Sequence, residues 1–155
     1  MAALYLKLFL LTFPLLLAGV SVPACAQHLV PHFPDTTVAQ GASVALPLHL
    51  KDAWDGRMHG FYAHIDVDPE AIQFDSLQVP ALRDRADWLL ASTPSDDGAL
   101  RIAGAGARPA VVRDTLLIAW FTARKPGQHA VHLAALSVNE QPLTGTSSRF
   151  DVHEA

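Results

Sequence analysis

The segment from Gly60 to Phe74 constrains the fold of this 155-residue chain more than any other. Apolar residues occupy every second position from Phe61 to Val67, with Tyr, His and Asp between them. This period of two predicts a β-strand that is buried on one face only. Pro69 fixes its own φ and pushes Asp68 out of the helical region, so the strand is expected to end there. The alternation then resumes, which is typical of an antiparallel sheet.

The rest of the chain repeats this pattern of short strands separated by turns. The interval from Ala81 to Leu90 stays open between one or two helical turns and a short strand at Trp88 to Ser92. Loops are predicted at Arg108 to Asp114 and at Pro142 to Ser148. The other predicted strands are 44–50, 72–79, 100–104, 115–124, 130–138 and 149–153. Eight or nine short strands without a long helix predict a nine-stranded, all-β jelly-roll sandwich.

The first 26 residues have the features of a secretory signal peptide. Lys7 is their only charge, an apolar run follows, and residues 24–26 form a small-residue cleavage motif. We expect cleavage before Gln27, a tail over residues 27–35 and one sandwich domain over residues 36–155. An uncleaved membrane anchor and a lipoprotein modified at Cys25 are the alternatives, and Pro23 fits the lipoprotein motif poorly. Export predicts a secreted, periplasmic or cell-surface bacterial protein, with no membrane span after cleavage.

The composition of the exported part excludes several classes of function. Lys7 leaves with the signal, so ten Lys and Arg remain against fifteen Asp and Glu, a net charge of −5. An acidic domain lacks the basic surface that nucleic acids require. Cys25 is the only cysteine, so no disulfide and no thiol chemistry are expected in the domain.

No motif in the sequence predicts catalysis. The chain has eight histidines but no His-Glu-x-x-His motif. The carboxylates of Asp66, Asp68 and Glu70 lack the spacing of an EF-hand. The stretch Gly104 to Gly106 is followed by no helix pattern, so it indicates a bend or a close neighbour rather than a nucleotide loop. We expect no catalytic residue, no metal site and no cofactor.

Three segments, in this order along the chain, resemble the cohesin domain and related carbohydrate-binding modules. They are Gly60 to Phe74 with its Asp-Pro break, the turn and strand from Asp97 to Gly106, and the strand from Asp114 to Phe121. Val67 departs from the family, in which Tyr often precedes Asp-Pro, and Asp114 stands where Gly is usual. The resemblance covers roughly residues 36–138.

The resemblance implies a jelly-roll sandwich that binds a protein partner on one sheet face. In cohesins that partner is a dockerin, a small calcium-loaded module of another protein, and the face uses the third, fifth, sixth and eighth strands. The corresponding outward residues of this chain are expected to be Tyr62, His64, Asp66, Arg101, Ala103 and His132. The function implied is therefore non-catalytic protein–protein recognition.

The strand from Thr115 to Thr122 is apolar on both faces, which a half-exposed sheet does not require. Ile118 and Trp120 are expected on its outer face, either covered by loops or forming a candidate apolar patch. A carbohydrate-binding module is the main alternative function, in which a polysaccharide stacks on aromatic side chains. Its candidate residues are Trp54, Tyr62, Trp88 and Trp120. An enzyme or an accessory subunit of a surface assembly is the third reading.

Overall fold

A computed structural model describes residues 30–51 and 56–155 of the chain. The predicted signal peptide, the first three residues of the predicted tail and Trp54 lie outside the described residues. Eleven β-strands and one short 3-10 helix, Pro80–Leu82, make up the regular structure of the described part. The strands are β1 (Val30–His32), β2 (Thr36–Ala39), β3 (Ser43–Lys51), β4 (Arg57–Val67), β5 (Ile72–Gln78), β6 (Trp88–Pro94), β7 (Ala99–Val111), β8 (Thr115–Ala123), β9 (Gly127–Val138), β10 (Gln141–Leu143) and β11 (Thr146–His153).

The strands form two sheets that face each other. One sheet has four strands in the order β1-β3-β8-β5. The other has seven strands in the order β2-β11-β9-β4-β7-β6, with β10 paired to β9. All pairings are antiparallel except that of β2 with β11. The predicted all-β sandwich is therefore confirmed.

The core lies between the two sheets and is built from alternate residues of each strand. The four-stranded sheet contributes Leu46, Leu48, Ile72, Leu117 and Phe121, and the seven-stranded sheet contributes Phe61, Ile65, Ile102, Leu133 and Phe150. The aromatic rings of Phe74 and Phe121 meet edge to face with their centroids 6.0 Å apart. Burial of these side chains is the main force that holds the sheets together.

The Asp-Pro break carries the chain from one sheet to the other. β4 ends at Val67, and the amide of Ile72 donates to the carbonyl of Asp68 at 2.9 Å to close the turn. The turn before β7 lies against this point, because the amide of Val67 donates to the carbonyl of Gly98. Gly98 has a φ of +87°, and a Cβ there would lie 2.0 Å from the carbonyl oxygen of Val67. Only glycine fits this position.

The strand count differs from the nine predicted. β1, β2 and β10 are the strands that the alternation does not reveal, since they have three or four residues and two of them contain a proline. β1 and the buried Phe33 fall within the predicted tail, so residues 30–35 contribute to the sheet and to the core. β10 and the first three residues of β11 overlap the loop that the sequence predicts from Pro142 to Ser148.

Two further differences concern β6 and β7. β7 continues to Val111, into the predicted loop, because an irregularity opposite Met58 to Gly60 lets the ladder with β4 resume. For the interval from Ala81 to Leu90, the sequence allows either helical turns or a short strand, and each of these alternatives is correct in part. The 3-10 helix ends at Leu82, and a strand begins at Trp88.

Candidate binding surface

The outer face of β9, β4, β7 and β6 brings together all six residues that the sequence predicts for partner binding. Directly opposed residues of an antiparallel pair point to the same face of a sheet. Three such pairs contain the six residues: Tyr62 with Ala103, His64 with Arg101, and Asp66 with His132. We call this outer surface the β9-β4-β7-β6 face. That it binds a partner stays a prediction.

One half of this face is apolar and built mainly from small residues. Tyr62 is 37% exposed and stands between Ala103 on β7 and Ser137 on β9. Beside it, Gly60 contributes no side chain, which leaves a depression of about 440 Å³ that Tyr62, Ala105 and Ser137 also line. The phenol ring of Tyr62 therefore borders an open recess on the outer face of the sheet.

The other half of the face is polar. His64 Nε2 lies 3.0 Å from Asp66 Oδ1, close enough for an ion pair when the imidazole is protonated, although the pair lacks the geometry of a hydrogen bond. His132 Nδ1 lies 2.6 Å from the hydroxyl of Ser147. The exposed Arg101 stands directly opposite His64. This half therefore carries ionisable side chains of both charge signs.

Leu89 is a member of the face that the sequence reasoning missed. It lies opposite Ala105 on the outer side of the sheet and is 82% exposed. The interval around it was open between helix and strand, so no face could be assigned to its side chains. Trp88 at the start of β6 and Thr93 near its end were the available signal, since both residue types are enriched in strands.

A network of charged side chains fixes the start of β6 against β7. Arg85 makes two hydrogen bonds of 2.9 Å to the carboxylate of Asp87, and it also donates to the carbonyls of Arg108 and Pro109. The Arg85 hydrogen bonds lower the pKa of Asp87 well below its ordinary range. Trp88 adds a hydrogen bond from Nε1 to the carbonyl of Arg108 at 3.0 Å. The start of β6, next to Leu89, is thus tied to β7 by side-chain hydrogen bonds.

The candidate apolar patch lies on the opposite side of the molecule. Ile118 and Trp120 face outward from β8 in the four-stranded sheet, where Trp120 stands between Ala45 and Ser76. Ile118 is half-buried and borders a recess with Pro80, while Trp120 is 38% exposed. Of the two alternatives that the sequence allows for this outer face, cover by neighbouring segments fits Ile118 and an exposed patch fits Trp120.

The described aromatic residues do not form a shared platform for a sugar. Trp88 is 8% exposed, and its ring lies over Gly106 inside the sandwich. Tyr62 and Trp120 lie on opposite sheets. Among residues 30–51 and 56–155, no group of three or more His, Cys, Asp or Glu side chains could hold a metal ion. No helix in the same residues has the length and apolar character that a membrane crossing requires.

The architecture is similar to that of cohesin modules. The sequence matches no model of a protein family, and it has no significant match among curated proteins. A cohesin module from a family 33 glycoside hydrolase of Clostridium perfringens superimposes with a TM-score of 0.67 at 13% identity, covering 83% of this chain and 99% of that one. A chain of a type I cohesin–dockerin complex from Clostridium thermocellum superimposes with a TM-score of 0.66 at 12% identity, covering 81% and 99%.

A third solved structure extends the likeness beyond these bacteria. A non-cellulosomal cohesin from the hyperthermophilic archaeon Archaeoglobus fulgidus gives a TM-score of 0.60 at 12% identity, covering 79% of this chain and 91% of that one. These matches confirm the cohesin resemblance at the level of the fold. The fold of the described residues is that of a cohesin-type jelly-roll sandwich.

Proposed function

We propose that this protein is a non-catalytic binding module and that a protein partner docks on the β9-β4-β7-β6 face. One observation carries the proposal. A single sheet face holds an exposed apolar half around Tyr62 and Leu89 and, next to it, a charged half around Arg101. Interfaces between proteins combine an apolar centre with a polar rim, and Tyr and Arg are frequent anchors in them.

The class of partner we propose is a dockerin-type module. Solved structures with this fold include cohesins in complex with dockerins. An apolar side chain of such a partner would enter the recess beside Gly60, and another would pack against the outward side chain of Leu89. The pair of His64 and Asp66 would supply polar contacts at the edge of the interface.

Export of the protein is part of this proposal. A signal peptide cleaved before Gln27 would place the module in the periplasm, at the cell surface or in the medium, where it would meet exported partners. Carbohydrate binding is the less favoured alternative, since the described aromatic residues are buried or lie on opposite sheets. Trp120 would be the residue that carries it.

Titration of the protein with calcium-loaded dockerin modules encoded in the same genome tests the proposal. We expect one such module to bind. Tyr62→Ala combined with Arg101→Ala should raise the dissociation constant of that complex at least about tenfold, as for the loss of two interface anchors. Ser76→Ala, an exposed change on the opposite sheet, is the matched control and should leave affinity unchanged. Binding that survives the double substitution would exclude this face. Retention on polysaccharide gels that is lost in Trp120→Ala would instead support the carbohydrate alternative.

A further inference from the structure

The free edge of β6 is the least protected strand edge in the described residues. β6 is the last strand of the seven-stranded sheet, and no described strand pairs with its outer side. Its positions from Leu89 to Pro94 are all exposed, and none of them carries a charge. Proteins usually protect such edges with charges, prolines or bulges, because unpaired backbone groups recruit another strand.

The other sheet edges carry that protection. β5 has a bulge between Phe74 and Ser76 and an exposed Asp75 at it. β1 and β2 have only three and four residues, whereas β6 offers five consecutive exposed residues, Leu89 to Thr93, before its terminal Pro94. The difference singles out β6 as an edge open to pairing.

The backbone of β6 shows which groups are available. The amide of Ala107 donates to the carbonyl of Asp87, and that of Ser95 donates to the carbonyl of Ala99. Hydrogen-bonded positions alternate along an antiparallel ladder, so Leu89, Ala91 and Thr93 bond to β7. The N–H and C=O groups of Leu90 and Ser92 therefore point away from β7.

We propose that a second copy of this chain pairs with β6 through these groups, antiparallel across a two-fold axis at Ala91. In that register Leu90 of each copy stands opposite Ser92 of the other, and four backbone hydrogen bonds form between two identical edges. Pro94 has no N–H to donate, and the Trp88 amide already bonds the carbonyl of Arg85. The pairing joins the two seven-stranded sheets into one continuous sheet.

The charges at the two ends of β6 favour this orientation. The turn before β6, with the adjoining part of β7, carries more positive than negative charge: Arg83, Arg85 and Arg108 against Asp84 and Asp87. The turn after β6, with the adjoining part of β7, carries more negative than positive charge: Asp96 and Asp97 against Arg101. An antiparallel two-fold brings the acidic end of each copy to the basic end of the other. A parallel arrangement would bring like ends together.

This dimer is independent of the proposed docking function and predicts a closed assembly. The described residues of each copy contain one such edge, so an isologous pairing through it stops at two copies. Sedimentation velocity over a range of protein concentrations, with light scattering for mass, measures it. We expect a monomer–dimer equilibrium that salt weakens, since screening reduces the attraction between the ends.

Ser92→Pro is the decisive variant. It removes an N–H that points away from β7, which an edge strand tolerates, and it should raise the dissociation constant of the dimer by about tenfold or more. Ser92→Ala keeps the N–H and should dimerise like wild type. Asp96→Lys, in the exposed turn, should also weaken the dimer and does not depend on folding of the proline variant.

Two results would overturn the proposal. The first is a wild-type protein that stays monomeric up to its solubility limit. The edge of β6 would then be available to an extended segment of another protein rather than to a second copy. A dimer that Ser92→Pro leaves intact, with circular dichroism showing a folded variant, would place the interface elsewhere.

Discussion

At the scale of single residues, the Asp87 carboxylate holds the start of β6 in place. It accepts two hydrogen bonds from Arg85, and Arg108 Nε lies 3.4 Å from its Oδ2. Arg85 in turn donates to two carbonyls of β7. A single ionised group thus couples the turn before β6 to the neighbouring strand.

This arrangement predicts a pH-dependent stability. The folded-state pKa of Asp87 lies well below its ordinary value of 3.8, chiefly because Arg85 hydrogen-bonds the ionised form. Its contribution to stability is therefore complete above that value and is lost as the pH falls towards the depressed pKa. Asp87→Asn should lower the urea midpoint at about pH 7, and the difference from wild type should narrow at about pH 3.

The control for this prediction is Asp84→Asn, which alters an exposed carboxylate in the same turn. It should leave the urea midpoint close to wild type. A gap between Asp87→Asn and wild type of equal size at both pH values would show that the ionisation of Asp87 contributes nothing to stability.

Glycine positions show what single residues reveal before a structure is known. The sequence predicts a bend or a close neighbour at Gly104 to Gly106, and the structure confirms the close neighbour. A Cβ at Gly106 would lie 2.3 Å from the Trp88 ring, and one at Gly104 would lie 2.5 Å from the Phe61 ring. Which ring approaches which glycine depends on the pairing of β7 with β6 and β4, and that pairing is set at a longer range than any local pattern.

At the scale of elements, one-sided burial decides which strands the sequence predicts well. β4 alternates strictly, so its extent after Gly60 and both of its faces follow from the pattern. β8 is apolar on both faces, so its sequence lacks the alternation that would distinguish the buried face from the outer one. Leu117 is fully buried in the core, whereas Trp120 on the other face stays partly exposed.

The two faces of β8 should respond differently to truncation. Leu117→Ala removes a fully buried side chain and should lower the free energy of unfolding by about 2–5 kcal/mol. Trp120→Ala should cost about 1 kcal/mol, because its ring is already partly in water. Urea unfolding followed by circular dichroism measures both, and equal losses would mean that Trp120 is as well covered as the core.

At the scale of the whole molecule, the sequence predicts the architecture and outward residues on four strands, β4, β7, β8 and β9. It predicts neither the eleven strands nor the role of β6. Short strands such as β1 and β10 are stabilised by their partners rather than by their own pattern. The contribution of Leu89 to the face depends on β6 joining the sheet at its edge, which only the fold as a whole determines.

The beginning of the domain gives a last prediction at this scale. β1 pairs with β3, and Phe33 next to it is 1% exposed in the core, although the sequence places both in a tail. Phe33→Ala should therefore lower the free energy of unfolding by about 3–5 kcal/mol, as for other buried aromatic residues. Thr37→Ala, an exposed change in β2, should stay within about 0.5 kcal/mol of wild type. Urea denaturation compares the two variants. A Phe33→Ala protein as stable as wild type would mean that the domain begins at Thr36, as the sequence predicts.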